Sequence, residues 1–362
     1  MKILGIETSC DETAVAVVED GTNVLSSIIA SQIPLHHATG GIVPEVAARE
    51  HVVKIMPTLE QALNEATLTL DDIDAIAVTQ GPGLLSSLVI GVTAASTLAL
   101  VKKKPLIPVN HIAGHIYANW LNEESKDPVT FPILVLTVSG GHNELVYMKS
   151  HAEYTLLGET LDDAAGEAFD KVARILGLGY PGGPPVSHAA ENGNPQKYDL
   201  PRAYLDKESY DFSFSGLKTA VLNLVKEQHE KEGALSDQFI ADCAASFQEA
   251  VCEVLVDKLL RAAKEHNVKE VHLAGGVSAN TRLREMAGAK CGQDFQLRYA
   301  HNLSFCTDNA AMIAAAAFFH SQKKPEAYFV PFNGRLKHTS VTTFTPCVLA
   351  DPNLRMYHNA QL

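Results

Sequence analysis

The chain predicts an α/β fold built as two related lobes, and three observations carry that reading. Apolar strand-like runs alternate with helical stretches, the pattern of helices layered on a sheet. A strand, a small polar or glycine turn and a return strand open the sequence at 2–18 and recur at 131–147, as an internal duplication would produce. With 362 residues, 46% hydrophobic and 20% charged, the chain is long and apolar enough for two domains.

Taken in order, residues 2–7 are an apolar strand, 8–13 an acidic, hydroxyl-rich turn and 14–18 the return strand of a hairpin. Val46, Ala47, Val53, Ile55, Met56, Leu59, Ala62 and Leu63 recur near helical period across 42–66. A buried-type strand at 73–79 meets the sharp loop Gly81-Pro-Gly83, then a largely apolar helix at 84–101 and a strand at 105–109. The pattern restarts with a strand at 131–138, the turn Ser139-Gly-Gly141 and a return strand at 144–147. Residues 160–178 read as a helix with Asp162, Asp163, Glu167 and Asp170 in its first part, stopped by a Gly/Pro loop at 177–185. Residues 190–212 are polar and turn-rich, helices follow at 217–225 and 240–266, and a strand at 271–274 feeds Gly275-Gly-Val-Ser-Ala-Asn280. The last helix is expected at 307–319. Lobe boundaries follow: 1–130, completed by 305–325; 131–304; and a tail at 326–362 with strand-like fragments and no assigned place.

The balance of 29 basic against 42 acidic residues gives a net charge of −13, which argues against binding nucleic acid through a generally basic surface. Lys54, Lys102 to Lys104, Arg282 and Arg284 are the local basic candidates, each a solvated charge by default. Six cysteines without a Cys-x-x-Cys pair point to neither a thiolate zinc site nor a disulfide framework, and fit a reducing compartment. The N-terminus has no secretory pattern, and no apolar run is expected to approach a membrane span: the longest, 310–319, is about half of one and reads as a buried core helix. A cytoplasmic protein with no membrane contact is the expectation.

His111 and His115 lie four residues apart after the strand at 105–109. On a helix both imidazoles share one face and can grip a single borderline metal, although two ligands do not complete a site. The alternative is one exposed and one packed or capping histidine. Strand-to-turn junctions at 7–13, 138–142 and 275–280 can each offer backbone N–H groups to phosphate oxygens. None carries a Walker or dinucleotide fingerprint.

Two facing hairpins around phosphates, with a third glycine turn at their base, resemble the actin-like ATPase superfamily; the fold implied is a two-lobed actin-like (ASKHA) fold with a duplicated mixed-sheet domain. The resemblance sharpens in a set of blocks: Gly5-Ile-Glu-Thr-Ser-Cys-Asp-Glu-Thr13, Gly40-Gly-Ile-Val-Pro-Glu45 with Arg49 and His51, Gly81-Pro-Gly-Leu84, His111-Ile-Ala-Gly-His115 and Ser139-Gly-Gly-His142. It continues through Asp162-Asp-Ala-Ala-Gly-Glu-Ala-Phe-Asp-Lys171, Tyr180-Pro-Gly-Gly-Pro184, Asp211-Phe-Ser-Phe-Ser-Gly-Leu-Lys218, Gly275 to Asn280 and Cys306-Thr-Asp-Asn309. In this order the blocks are similar to those of the bacterial catalytic subunit of the tRNA N6-adenosine threonylcarbamoyltransferase family.

That resemblance implies transfer of a threonylcarbamoyl group from threonylcarbamoyl-AMP to N6 of adenosine 37 in tRNAs reading ANN codons. It implies one divalent metal ion, iron or zinc, held by His111, His115 and Asp308. Thr137, Val138, Ser139, Gly140 and Gly141 would line the carbamate and phosphate region, with Glu167, Asp170 and Lys171 near the ribose, Gly183 at the adenosine and Asn280 on the base side. Asp162 and Asp163 are read as capping and dipole partners at a helix start. Asp11 and Glu12 are the acids expected to assist the poorly nucleophilic amine, with Ser9 as a phosphate contact, so Asp11→Ala or Glu12→Ala is expected to abolish transfer while the fold survives. The implied partners are tRNA, a smaller non-catalytic paralogue forming a heterodimer, and a separate P-loop ATPase. Two other activities compete: a metal-dependent glycoprotein endopeptidase, disfavoured because Ile112 stands where a zinc peptidase has Glu, and an actin-like-fold phosphotransferase. A non-enzymatic scaffold is disfavoured by the retained His111, His115 and Asp308.

Overall fold

The computed structural model describes residues 1–37, 41–122, 128–206, 208–323 and 348–356. Gly40 of the second sequence block, and the tail at 326–347 and 357–362, lie outside the described residues. The chain forms two units, Met1–Lys126 with Ala300–Leu362, and Asp127–Tyr299.

In the first unit, β1 (Lys2–Glu7), β2 (Glu12–Glu19), β3 (Asn23–Ser31), β4 (Ala75–Gly81) and β5 (Leu106–Asn110) form one sheet in the order β3-β2-β1-β4-β5. β1 is antiparallel to β2 and parallel to β4, which is in turn parallel to β5. The helices α1 (Ile33–His37), α2 (Pro44–Glu65), α3 (Leu85–Lys102) and α4 (His111–Tyr117) fall between or after these strands. Leu4 and Ile6 of β1 share a core with Ile55 and Leu59 of α2 and Val92 and Ala95 of α3. The two-residue period turns Gly5 and Glu7 to the opposite face. There the C-terminal helix Ala310–Lys323 lies on β1, so close at Gly5 that a Cβ would stand 2.2 Å from the Ala310 carbonyl oxygen.

The second unit has β6 (Ile133–Val138), β7 (Asn143–Ser150), β8 (Glu153–Glu159), β9 (Glu270–Ala274) and β10 (Gln296–Tyr299) in the order β10-β9-β6-β7-β8. Its helices are α5 (Ala165–Leu176), α6 (Gly183–Ala190), α7 (Ser215–Glu232), α8 (Asp237–Glu265) and α9 (Thr281–Cys291), and α10 is the C-terminal helix of the first unit. β6 is antiparallel to β7 and parallel to β9, and β9 is parallel to β10. Counted from its own first strand, each sheet therefore runs third, second, first, fourth, fifth, with the same parallel and antiparallel joints. The duplication read from two hairpins extends to five strands per unit.

Three strands absent from the sequence reading, β3, β8 and β10, lie at sheet edges, where polar residues interrupt the apolar signal. The helix expected from residue 160 starts at Ala165, leaving Asp162 and Asp163 in the preceding loop. One expectation is corrected. α3 is by length and composition apolar enough to cross a membrane, and the reading of 310–319 as the longest such run overlooked it. In the fold, α3 sets Val92, Ala95 and Ala99 at helical period into the core shared with the sheet.

A short part of the tail has a definite place. Val348 is buried in the core of the first unit. Beyond it, Asp351 N donates to Gln80 O (2.8 Å), Gly83 N to Pro352 O (3.3 Å) and Asn110 Nδ2 to Leu354 O (3.1 Å).

Candidate active site

Asn110 ends β5 and caps α4, its Oδ1 accepting from Ile112 N (2.8 Å) and Ala113 N (3.2 Å). That cap starts the helix at His111, so His111 and His115 stand one turn apart with ring centroids 4.7 Å from each other. Asp308 comes from the loop before α10, where Asn309 Oδ1 accepts from Met312 N (2.9 Å). Asp308 Oδ1 lies 3.5 Å from His111 Nε2 and 3.2 Å from His115 Nε2. One ligand atom from each residue falls within 4.8 Å of the others.

Those donors fit a metal ion. Metal–ligand bonds of about 2.1 Å put neighbouring donors roughly 3.0–3.4 Å apart in an octahedral or tetrahedral shell. His115 is fully buried, yet among the described residues neither ring nitrogen has a hydrogen-bond partner, despite the nearby Asp308 oxygen. Buried polar atoms are rarely left so, and a cation would satisfy this one. Burial opposes a charge on His111, but Asp308 and then Glu7 outweigh it and raise the imidazole to about 9. The carboxylates that favour a positive charge on this ring would equally favour a bound cation.

Around this cluster lies the turn between β1 and β2. His111 Nδ1 is 3.1 Å from Glu7 Oε2 and 3.2 Å from Ser9 Oγ. Ser9 N also donates to Glu7, and Ser9 O accepts from Leu84 N (2.8 Å). The loop at Gly83 must pass close, since a Cβ there would stand 2.6 Å from Ser9 O. Glu12 accepts from Ser31 Oγ (2.8 Å), while burial, followed by the neighbouring Asp11 carboxylate, pushes its carboxyl up to about 9. His51 of α2 holds the turn from beneath: Nε2 donates to Cys10 O (3.0 Å), and Nδ1 faces Thr13 Oγ1 at 2.8 Å. The Nε2–H tautomer follows from the carbonyl partner, and burial lowers the imidazole pKa. Sequence reasoning gave no role to Glu7, Thr79 or His51; their only signal was a polar residue inside or beside an apolar element.

Of the candidate residues of the second unit, Thr137 to Gly141 lie at the C-terminal end of β6, Asn280 follows the C-terminal end of β9, and Gly140 O accepts from Glu167 N (3.1 Å). Thr137 and Val138 finish β6, and the Thr137 hydroxyl is buried without a hydrogen bond among the described residues. Ser139 N donates to His142 O (2.8 Å), closing a turn in which Gly140 and Gly141 have open space where side chains would stand. Gly275 packs on this strand with φ +83°, and a Cβ there would meet Val138 O at 2.5 Å, so only glycine suits the position. Lys171 is not free: its Nζ binds Asp163 (2.6 Å) and Glu167 (2.8 Å). Asp170 accepts from Gly182 N (2.6 Å) just before Gly183 opens α6, and burial raises its carboxyl. Asn280 caps α9 through Leu283 N (3.0 Å), and its amide donates to Ser187 Oγ (2.9 Å) and Gln248 Oε1 (2.8 Å). Asp162 accepts from Phe214 N, Ser215 N and both adjacent serine hydroxyls, so it caps α7 and not the helix that follows it in sequence.

A profile of the family described as tRNA N6-adenosine threonylcarbamoyltransferase matches residues 23–315. The protein of that name from Thermomicrobium roseum is 54% identical over 347 residues, spanning 89% of this chain and 93% of its own. The chain belongs to the tRNA N6-adenosine threonylcarbamoyltransferase family. A second member, from Bacillus thuringiensis (strain Al Hakam), is 56% identical over 315 residues, spanning 87% of this chain and 90% of its own. Among solved structures, HypF of T. kodakarensis superposes with a TM-score of 0.59 at 15% identity, covering 91% of this chain and 48% of that one. At that identity the likeness is one of fold, and the fold is the actin-like α/β fold read from the motifs. The profile stops before the tail, so the segment at 348–356 is an addition to what the family match covers.

Proposed function

We propose that this chain transfers the threonylcarbamoyl group of threonylcarbamoyl-AMP to N6 of adenosine 37 in tRNAs reading ANN codons. Family membership carries this reading, and the chemistry of the first unit supports it. His111, His115 and Asp308 would hold one divalent ion, iron or zinc, and leave positions open to substrate oxygens. Bound there, the ion would polarise the threonylcarbamoyl oxygens.

The residues of the chain then divide the remaining work. Backbone amides of the turn at Ser139, Gly140 and Gly141, beside Thr137 and Val138, receive the carbamoyl and phosphate oxygens, because glycines let a ligand approach the backbone. Glu167, Asp170 and Lys171 form the ribose side, Gly183 meets the adenosine and Asn280 the base. Lys171 acts there mainly by holding Asp163 and Glu167 in place. Ser9 contacts the phosphate of the donor, which leaves as AMP. Of the two acids, Asp11 takes the proton from N6, because Glu12 is neutral around pH 7 and serves as its hydrogen-bond partner.

The partners proposed are tRNA, a smaller paralogue of the same fold and a P-loop ATPase, with the chain acting in the cytoplasm. Arg282 is taken up by Glu249 through two hydrogen bonds, Lys102 by Asp71, and Arg284 by Ser278 O and the Tyr299 ring. With a net charge of −13 and these cations engaged, the tRNA backbone needs basic surface from a partner. Exposed Val53 and Met56 on α2 and Leu85 and Val89 on α3 offer the paralogue an apolar face. Depleting the protein and measuring threonylcarbamoyladenosine in bulk tRNA by mass spectrometry tests the activity. Loss of the nucleoside is expected, and unchanged levels would reject the transferase.

A further inference from the structure

Glu7 is a fully buried carboxylate whose oxygens accept from Ser9 N, Thr79 Oγ1 (2.5 Å) and His111 Nδ1 (3.1 Å). Among the described residues, the cationic group paired with it is the His111 imidazole. A charge at a buried position is costly compared with a neutral acceptor, so its presence needs a reason. Holding the turn does not supply one, because a neutral glutamine oxygen could accept from Ser9 N equally well.

The reason lies on the far side of the imidazole. A carboxylate can only accept, so His111 must present Nδ1–H to Glu7, and Nε2 is then left to face Asp308 Oδ1. Ser9 Oγ, at 3.2 Å from the same nitrogen, could accept or donate and so leaves the tautomer open. We propose that Glu7 is the positioning residue that fixes the His111 tautomer and aims Nε2 at the metal, and that its charge, added to that of Asp308, makes the pocket selective for a divalent cation. A ligand histidine backed by a carboxylate is a better donor and is held in one orientation. The inference rests on the metal reading given above.

The test uses the full chain, Zn²⁺ as probe and a competing chromophoric chelator, with wild type, Glu7→Gln and Thr79→Val side by side. Glu7→Gln is expected to weaken Zn²⁺ binding by about 10–100-fold, the usual cost of losing such a partner. ¹⁵N spectra of the metal-free proteins at alkaline pH, where the imidazole is neutral, read the tautomer directly: wild type is expected to show His111 protonated at Nδ1 only, and Glu7→Gln a mixture of the two tautomers. A merely structural Glu7 would not move the tautomer. Thr79→Val removes one hydrogen bond from the carboxylate but keeps its charge, and is expected to cost a few-fold; it decides the matter if Glu7→Gln fails to fold. Zn²⁺ affinity within twofold of wild type in the folded variants, or an unchanged His111 tautomer, overturns the role of Glu7. Failure of the wild type to bind one Zn²⁺ per chain overturns the metal reading and this inference with it.

Discussion

Replacing Glu12 by glutamine separates two properties that the wild-type side chain combines, a sheltered position and an acidic proton. Its carboxyl is raised from 4.5 to about 9, first by burial and then by the hydrogen bond and charge of Asp11. Folding therefore binds a proton that the unfolded chain has already lost at neutral pH. The folded pKa is the higher one, so this stability is complete below about pH 4.5 and is lost as pH rises toward 9. At about 1.4 kcal/mol per pKa unit, the loss between pH 5 and pH 8 is about 4 kcal/mol for a fully shielded group. Glu12 keeps partial exposure, and solvent screening brings the expectation to about 2 kcal/mol. Glutamine keeps the neutral shape and escapes the loss.

Urea denaturation of chelator-treated wild type and Glu12→Gln at pH 5, 6.5 and 8 measures this directly. The variant is expected to gain on wild type steadily with pH, by about 2 kcal/mol across the range. The same variant tests the division of labour between the acids. Glu12→Gln should keep transfer within about tenfold at neutral pH, whereas Asp11→Asn should lose on the order of 10²–10⁴, the usual contribution of a general base. A stability difference that stays flat with pH, or a Glu12→Gln variant as inactive as Asp11→Asn, refutes the neutral-acid assignment.

Other consequences follow from single contacts. Alanine at His111, His115 or Asp308 should each lower metal content measured by elemental analysis, with affinity falling by more than the roughly 10–100-fold expected for an outer partner; undiminished metal in any one removes it from the site. Asp162→Ala should destabilise by about 1–2 kcal/mol through the cap of α7 and leave donor affinity unchanged. Burial works against the Asp162 charge, but Ser213 and Ser215 outweigh it and hold the carboxyl below 3.8, so the stability gap should close as pH falls through that lowered value. Val348→Ala should cost about 1–2 kcal/mol in urea denaturation, because the tail places this side chain inside the first core; an effect below about 0.3 kcal/mol would show that the segment is not docked in solution.

What could be read from the sequence follows from where each signal is local. β1, β2 and β6 are nearly continuous apolar runs buried on both faces, so composition alone marks them. β3 lies at a sheet edge and groups Ser26-Ser27 between Val24-Leu25 and Ile28-Ile29 instead of alternating, and β10 has only four residues, so neither carries a period that marks a strand. The histidine pair is a local signal as well, written in one turn of helix. Asp308 is not: only the packing of α10 brings it near, and the sequence supplied it through family resemblance alone. Glu7 was hidden for another reason. It is the last residue of an apolar strand, and nothing in its neighbours announces that the two-residue period turns it toward a histidine far along the chain.

Two glycines show how the backbone itself assembles that site. Gly5 on β1 and Gly114 between the histidines both lie under α10, where the absence of side chains lets the helix approach and bring Asp308 to His111 and His115. Their surroundings differ. An added methyl at Gly5 would stand 2.2 Å from the backbone oxygen of Ala310 and 3.1 Å from Ala314 N, which cannot swing aside. At Gly114 the nearest atoms are Ile313 Cδ1 (2.8 Å) and Met312 Cγ (3.1 Å), side-chain atoms that can move. Gly5→Ala is therefore expected to push α10 outward, costing about 1–3 kcal/mol in stability, while Gly114→Ala costs under about 1 kcal/mol. Because Asp308 lies two residues before that helix, Gly5→Ala should also weaken Zn²⁺ binding although Gly5 is no ligand, and Gly114→Ala should weaken it less. If calorimetry and chelator competition give the two variants equal effects, or reverse their order, then the close approach of α10 to β1 is not what sets the position of Asp308.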